Sequence, residues 1–312
     1  MSGYLDIYRG AAQTWECDQM GHLNVQFYTG KATEGMGHLR AAFGMTPGYI
    51  RETGRTFVAV RSLTRYLREL RAGDILSISA AIQAVGDKTV EIVAEVMNDG
   101  TGETAATIEI TSVHFDLDAR RAVAWPHDMR ARIEGMITPR RDTPRPQSTG
   151  KPSAPPPGGA YGEPFQTYLG TVMPWQCDEF GHLSARFYID AVTNAIGHLK
   201  NRIGLIGETA RQNHWGTAGL EYDTHFLAEL KEGELVRVTS GMVEVGTKTM
   251  RFAHLIENAE TGRLAARVEI VSCMLDLEKR KSFPIPEIAR EKAQRLIIPW
   301  PPADTRKAAA DS

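Results

Sequence analysis

Two aspartates carry the chemistry this chain is equipped to perform. Asp18 stands in W-E-C-D-Q-M-G-H-L, residues 15–23, and Asp178 in W-Q-C-D-E-F-G-H-L, residues 175–183. A glycine follows each three residues later, Gly21 or Gly181, then His22 or His182, and then a helical pattern. A carboxylate in that place can take a proton from water or attack a carbonyl itself. The plainer alternative is an Asp that caps the turn or the helix. The coming helix adds a second element, because its first N–H groups lack intrahelical partners and its dipole favours negative charge. Gly21 and Gly181 let the chain turn tightly and let a substrate come close. His22 and His182 can hydrogen-bond a carbonyl or water, or be satisfied by backbone within the turn. Asn24 can orient water or carbonyl, although N-capping alone accounts for it.

Other reactive residue types read as structural. Cys17 and Cys177 lie near His22 and His182, but a catalytic thiol needs a lowered pKa. Beside a carboxylate the thiolate is disfavoured, so both read as small buried hydrophobes. C-D-x-x-x-H matches no familiar zinc spacing, and no metal or cofactor is expected. His114 and His254 fall on the apolar phase of strands and read as satisfied core histidines. Arg120-Arg121 and Arg280-Lys281 end the last strand of each half, where they could meet phosphates or stay solvated.

These residues occur twice because the chain contains itself twice. A shift of 175 − 15 = 160 positions, with no gap, maps Phe27-Tyr28 onto Phe187-Tyr188 and Gly37-His38-Leu39 onto Gly197-His198-Leu199. It maps Gly86-x-Lys88-Thr89 onto Gly246-x-Lys248-Thr249, and Pro126 onto Pro286. The unit exceeds any solenoid repeat of roughly 20–50 residues, so it is a whole domain copied. Residues 1–137 and 165–302 form the two domains. The stretch 138–164, rich in Pro, Gly, Ser and Arg, reads as a linker, and 303–312 as a flexible tail.

Within each copy the elements follow from periodicity. Val25, Tyr28, Ala32, Met36, Leu39 and Phe43 recur at helical steps, as do Ala185, Tyr188, Val192, Ile196, Leu199 and Ile203. Asn24 and Ser184 sit where N-caps belong, and Gly44 and Gly204 where C-cap glycines belong. Gly30, Gly35 and Gly37 inside the helix each cost about 1 kcal/mol against Ala, which close approach of another backbone would compensate. Period-two alternation then predicts strands around 75–82, 90–97 and 106–111, with longer ones at 56–68 and 216–228 and short ones at 4–14 and 165–173. A closing helix follows Pro126 and Pro286. The result is α+β: one long apolar helix laid across one antiparallel sheet, in each copy.

Composition bounds the setting. Of 312 residues, 36 are Lys or Arg and 38 Asp or Glu, a formal charge of -2, which offers no electrostatic footprint for nucleic acid or anionic lipid. No apolar run approaches the ~18 residues of a membrane span. No basic segment followed by an apolar core opens the chain, and three cysteines cannot pair completely, so a reducing cytoplasm is expected.

W-x-C-D-x-x-G-H-L-(N/S)-x-x-F-Y, followed by that helix and those strands, resembles the hotdog-fold acyl-CoA thioesterases of the 4-hydroxybenzoyl-CoA thioesterase branch. The resemblance covers nearly all of both copies. Copy one keeps the motif's Asn as Asn24, whereas copy two has Ser184. It implies a tandem, double hotdog whose copies pair as an intramolecular pseudo-dimer, with further association into homo-oligomers. It implies an acyl-CoA substrate hydrolysed to acid and free coenzyme A without cofactor. Asp18 and Asp178 would be the catalytic carboxylates, and a backbone N–H near Val25 or Ala185 the oxyanion donor. The acyl chain would lie along the central helix, by Tyr28 and Tyr188. Some hotdog thioesterases use a helix carboxylate, which makes Glu34 a second-choice base, unique to copy one because Asn194 stands at its counterpart. Hydrolysis of acyl-carrier-protein thioesters and non-catalytic acyl-CoA binding are the alternatives.

Overall fold

A computed structural model describes residues 3–141 and 160–300. The chain separates into two compact units that divide after Arg145. In the first, β1 (Leu5–Ala11) leads through a 3-10 turn (Thr14–Glu16) and the motif loop into α1 (Val25–Phe43). Then follow α2 (Pro47–Thr53), β2 (Arg55–Tyr66), β3 (Ile75–Val85), β4 (Thr89–Asn98), β5 (Glu103–Asp116), β6 (Arg121–Ala122) and α3 (His127–Glu134). The sheet order is β1-β3-β4-β5-β2, antiparallel throughout, with β6 paired to the end of β5.

Local chemistry sets both ends of α1. Asn24 Oδ1 accepts the Gln26 N–H at 3.2 Å, and Gly44 ends the helix at φ 93°, where only glycine is at ease. Tyr28, Ala32, Met36, Leu39 and Phe43 form its buried stripe. They pack on Ile7, Leu76, Ile78, Val90, Ile92, Ala94, Val96 and Ile108 from the sheet. Gly35 has the reason the sequence suggests: a Cβ there would stand 3.0 Å from the carbonyl oxygen of Ile7. At Gly37 a Cβ would meet nothing, so no close approach explains that glycine.

The second unit repeats the plan with β7 (Phe165–Thr171), α4 (Ala185–Arg202), α5 (Glu208–Gln212), β8 (Trp215–Phe226), β9 (Leu235–Val245), β10 (Thr249–Asn258), β11 (Leu264–Asp276), β12 (Lys281–Ser282) and α6 (Glu287–Gln294). Its sheet order is β7-β9-β10-β11-β8. Ser184 occupies the N-cap position but makes no side-chain cap bond. Ile203 is the C-cap of α4, and Gly204, at φ 81°, follows it.

Three features differ from the pattern in the sequence. The short helices α2 and α5 follow the long helices where periodicity assigned no element. The face of the first sheet turned away from α1 is also covered in part: Val93 and Glu95 are buried. There the chain after α3 runs beside β3 in a parallel bridge, Ile137 to Ile82, and Thr138 N–H donates to the Ile82 carbonyl. Arg141 then pairs with Glu95 at 2.9 Å. Packed chain therefore continues past residue 137, as far as Arg141. Likewise Gly162 N–H donates to the Ile297 carbonyl at 2.7 Å. The centre of the expected linker, 142–159, and the expected tail lie outside the described residues.

The two cores diverge beneath their helices. Ile7, Ala80 and Ala94 of the first unit become Thr167, Ser240 and His254. Thr167 Oγ1 and Ser240 Oγ stand 2.6 Å apart, and Ser240 Oγ lies 2.7 Å from His254 Nδ1. This chain of bonds links β7, β9 and β10. His254 is fully buried and among the described residues its Nε2 has no hydrogen-bond partner, so the core reading holds for one ring nitrogen only. His114 is similar: Nδ1 lies 3.0 Å from the Ala124 carbonyl, its ring stacks on Trp125, and Nε2 is unpartnered.

Burial pushes the His254 imidazole down to about 3 from its usual 6.5, with Lys200 adding to the shift. A group lowered on folding binds its proton better in the unfolded chain. Its stabilising contribution is therefore full above about pH 6.5 and is lost as pH falls toward 3, by about 1.4 kcal/mol per pH unit at most. His254→Ala, the residue that position 94 carries, should flatten the acid limb of stability measured by urea denaturation. A slope equal to wild type would show that protonating His254 costs nothing.

Candidate active site

The motif loop is held from both sides. Asp18 N–H donates to the His22 carbonyl at 2.8 Å and Gly21 N–H to the Asp18 carbonyl at 3.0 Å, which closes the turn. Leu23 N–H donates to the Leu70 carbonyl, and Asn24 N–H to the Glu16 carbonyl. The first bond ties the loop to the crossover between β2 and β3, the second ties it to the 3-10 turn. The second copy repeats all four, at Asp178, Gly181, Leu183 and Ser184.

The carboxylates are committed on one oxygen. Asp18 Oδ1 accepts from Met20 N–H at 2.9 Å and His22 N–H at 3.1 Å. Asp178 Oδ1 accepts from Phe180 and His182 at the same distances. The capping alternative is thus realised, yet Oδ2 of each makes no hydrogen bond among the described residues. Gly21 and Gly181 sit at φ 77° and 76°, conformations the turn requires. A Cβ on either would meet nothing within 4 Å, so the space above each turn is open.

The helix starts supply the other polar half. Among the described residues, neither the Val25 nor the Ala185 backbone N–H meets an acceptor, as expected of first-turn donors. Asn24 holds the next N–H, that of Gln26, through its side chain. Asp18, Gly21, His22, Asn24 and Val25 therefore share one short loop and helix start, as do Asp178, Gly181, His182, Ser184 and Ala185.

The histidines are oriented by carboxylates rather than by backbone. His22 Nε2 stands 3.1 Å from Glu69 Oε2, and His182 Nε2 stands 3.2 Å from Glu229 Oε2. The second contact is close but lacks the geometry of a hydrogen bond. Both glutamates come from the crossover, next to Leu70 and Leu230, which anchor the loop. Reading for catalytic motifs passes over them, although they recur at the 160-residue shift.

Three other expected residues, Tyr28, Tyr188 and Glu34, lie off the surface of the loop. Tyr28 and Tyr188 are buried, 3% and 4% exposed. Tyr28 meets Tyr66 edge-on and Tyr188 meets Phe226 likewise, and burial raises both hydroxyls above the usual tyrosine range. Glu34 is exposed on α1, nine residues and about 14 Å along the helix from Val25. It lines a cleft with Asp6, Tyr8, Arg9 and His38, apart from the loop of its own unit. Arg120 and Arg121 follow the β5 end that pairs with Arg55, at the end of the twelve-residue β2 opposite the crossover that anchors the Asp18 loop of that unit.

Cys17 and Cys177 are partly exposed rather than buried, while both thiols are raised. Burial raises the Cys17 thiol first, with Asp18 and Glu16 adding; burial, Glu232 and Asp178 raise Cys177. Among the described residues no three His, Cys, Asp or Glu side chains gather as metal ligands, and no helix is long and apolar enough to cross a membrane.

With this geometry the comparisons agree. The profile of the thioesterase-like superfamily matches residues 12–133 and again 172–293. The chain belongs to that family, as two hotdog domains in tandem, and its chemistry is thioester hydrolysis. A betainyl-CoA thioesterase from Pseudomonas aeruginosa is 28% identical over 118 residues, which cover 38% of this chain and 74% of that protein. A structure from Lactobacillus plantarum, assigned as an oleoyl thioesterase, superposes with TM-score 0.64 at 17% identity over 86% of this chain and 95% of its own. A 12:0-ACP thioesterase from Umbellularia californica gives 0.64 at 14% identity, over 87% and 94%. These two show the fold.

A buried ion pair separates the two loops. Lys31 of α1 reaches Glu16 at 2.8 Å and the Ala11 carbonyl at 3.1 Å, with both charged groups largely out of water. The second copy has Ala191 and Gln176 there, so both charges are absent together. Glu16 and Gln176 keep the same bond to the N-cap N–H of the 3-10 turn, at 2.9 and 2.8 Å. Lys31→Ala alone strands a buried carboxylate and should cost about 3 kcal/mol, whereas Lys31→Ala with Glu16→Gln should restore most of it. Urea denaturation of the two variants tests this; equal losses would mean the pair is not coupled.

Proposed function

We propose that the chain hydrolyses an acyl-CoA thioester to a carboxylic acid and free coenzyme A. One observation carries this reading: an aspartate oxygen and a helix-start N–H, both without partners among the described residues, belong to one anchored loop beneath open space. A water between them gives its proton to Asp18 or Asp178 and its oxygen to the thioester carbon. The carbonyl oxygen gathers charge against the Val25 or Ala185 N–H, a donor of a kind worth about 3 kcal/mol. The carbon–sulfur bond then breaks, and the thiolate recovers the proton from the aspartic acid. His22, held by Glu69, and His182, held by Glu229, stand in the same loops to hydrogen-bond water or the carbonyl. The coenzyme A carrier follows the Pseudomonas relative, whose name specifies a CoA ester. Three unpaired cysteines suit a reducing cytoplasm.

Thiol release across a panel of acyl-CoAs tests the assignment on wild type, Asp18→Asn, Asp178→Asn and the double variant. Loss of a positioned acid–base group costs about 10²- to 10⁴-fold. At least one single variant should fall that far, which identifies the working loop, and the double variant should be at background. A double variant as fast as wild type would remove the aspartates from the reaction.

A further inference from the structure

The two helix starts share a backbone and differ in the side chains around it. Asn24 has φ -64° and ψ 140°, Ser184 φ -64° and ψ 146°. Phe27 N–H donates to the Asn24 carbonyl and Phe187 N–H to the Ser184 carbonyl, both at 2.9 Å. In the first unit two side chains then hold the peptide that follows Val25. Its N–H, on Gln26, donates to Asn24 Oδ1 at 3.2 Å. Its carbonyl, on Val25, accepts from the Tyr66 hydroxyl at a longer 3.5 Å. In the second unit Ser184 makes no side-chain cap bond, and Phe226, which stands where Tyr66 does in the first copy, has no hydroxyl.

The Val25–Gln26 peptide adjoins the one that carries the Val25 N–H, which is unpartnered among the described residues. Held at both its N–H and its carbonyl, it leaves the Val25 torsions little room to swing that donor. A buried pair steadies the other side. Lys31 of α1 holds the Glu16 carboxylate, and the Glu16 carbonyl takes the Asn24 N–H. With Ala191 and Gln176 at those places, the Gln176 carbonyl takes the Ser184 N–H without that anchor. A donor already aimed costs no reorganisation as charge develops on the carbonyl oxygen, and misplacement by about 1 Å can cost about 10²-fold in rate.

We propose that the first unit's loop is the faster of the two thioesterase sites, and that Asn24 and Tyr66 are the positioning residues that make it so. This rests on the thioesterase reading of the same loops and deepens it by ranking them. Neither side chain needs to touch the substrate, because both act through the Val25–Gln26 peptide. The supporting aromatic pairs already match: Tyr28 meets Tyr66 at 5.2 Å and 80°, and Tyr188 meets Phe226 at 5.3 Å and 83°. A hydroxyl on the ring at 226 would therefore approach the Ala185 carbonyl as that of Tyr66 approaches the Val25 carbonyl. The second loop is two substitutions short of the first unit's clamp, and the clamp can be exchanged between units.

Reciprocal exchange tests this in the full chain, with kcat and KM measured on an acyl-CoA that the wild type hydrolyses. Asn24→Ser/Tyr66→Phe gives the first unit the residues of the second, and Ser184→Asn/Phe226→Tyr does the reverse. With an unclamped loop about tenfold slower, the first exchange should lower the chain's kcat about fivefold and the second should raise it about twofold. KM should stay within about twofold in both, because the aim of the donor matters in the transition state rather than in substrate binding. A gain in kcat from the second exchange cannot come from damaged folding, which separates positioning from a merely structural role. An unchanged kcat in either exchange, or a change confined to KM, would overturn the proposal while leaving thioester hydrolysis intact. A wild type inert toward every acyl-CoA of the panel would overturn the thioesterase reading, and the ranking with it.

Discussion

A helix cannot bond its own first N–H groups, and each unit keeps one of them open beside a carboxylate. The rest of the fold serves that arrangement. The stripe from Tyr28 to Phe43 fixes α1 on the sheet, so the helix start has one place to be. The β2–β3 crossover takes the Leu23 N–H, and the 3-10 turn takes the Asn24 N–H. With those donors satisfied, the loop has no reason to close over Val25. An exposed loop of this length would otherwise sample many conformers, and each lost bond would loosen the placement of that N–H.

Duplication shows which parts of this arrangement tolerate change. The backbone bonds of the loop recur with distances equal within 0.1 Å, so geometry survives divergence. The Lys31–Glu16 pair does not recur, and its loss in the second copy is concerted. That follows from the cost of a lone buried charge, which is larger than the net value of the pair. The core beneath the helix shows the same rule for neutral polarity. Ser240, Thr167 and His254 enter together, each covering part of another's hydrogen-bonding need, where the first copy is wholly apolar. Single polar substitutions would have left more atoms like His254 Nε2 without partners.

The long helices, their caps at Asn24 and Gly44, and most strands were legible because period and capping are local properties. Strand order was not. Alternation tells which face of a strand is buried, but not which strand lies beside it, so the crossover that sets β2 next to β5 had no local signal. Burial of Glu95 was illegible for a related reason: the chain that covers it, around Ile137 and Arg141, lies some forty residues away in sequence. At the site, Asp18, Gly21, His22, Asn24 and Val25 were recognisable because they are contiguous. Glu69 and Glu229 were not, since they reach the loop only through the crossover. Their recurrence at the repeat spacing was the one sequence clue available.

By itself, then, the sequence determined that two copies of one α+β domain exist, and that each places an aspartate before a glycine turn and a helix start. These follow from period, capping and turn chemistry, which act over a few residues. Only the tertiary structure decided which oxygen of that aspartate is left unbonded, which carboxylate orients the histidine, and that Tyr28 faces the core while Glu34 faces water. Those outcomes depend on what distant segments bring to the loop, and burial and hydrogen bonding are settled only when those segments pack.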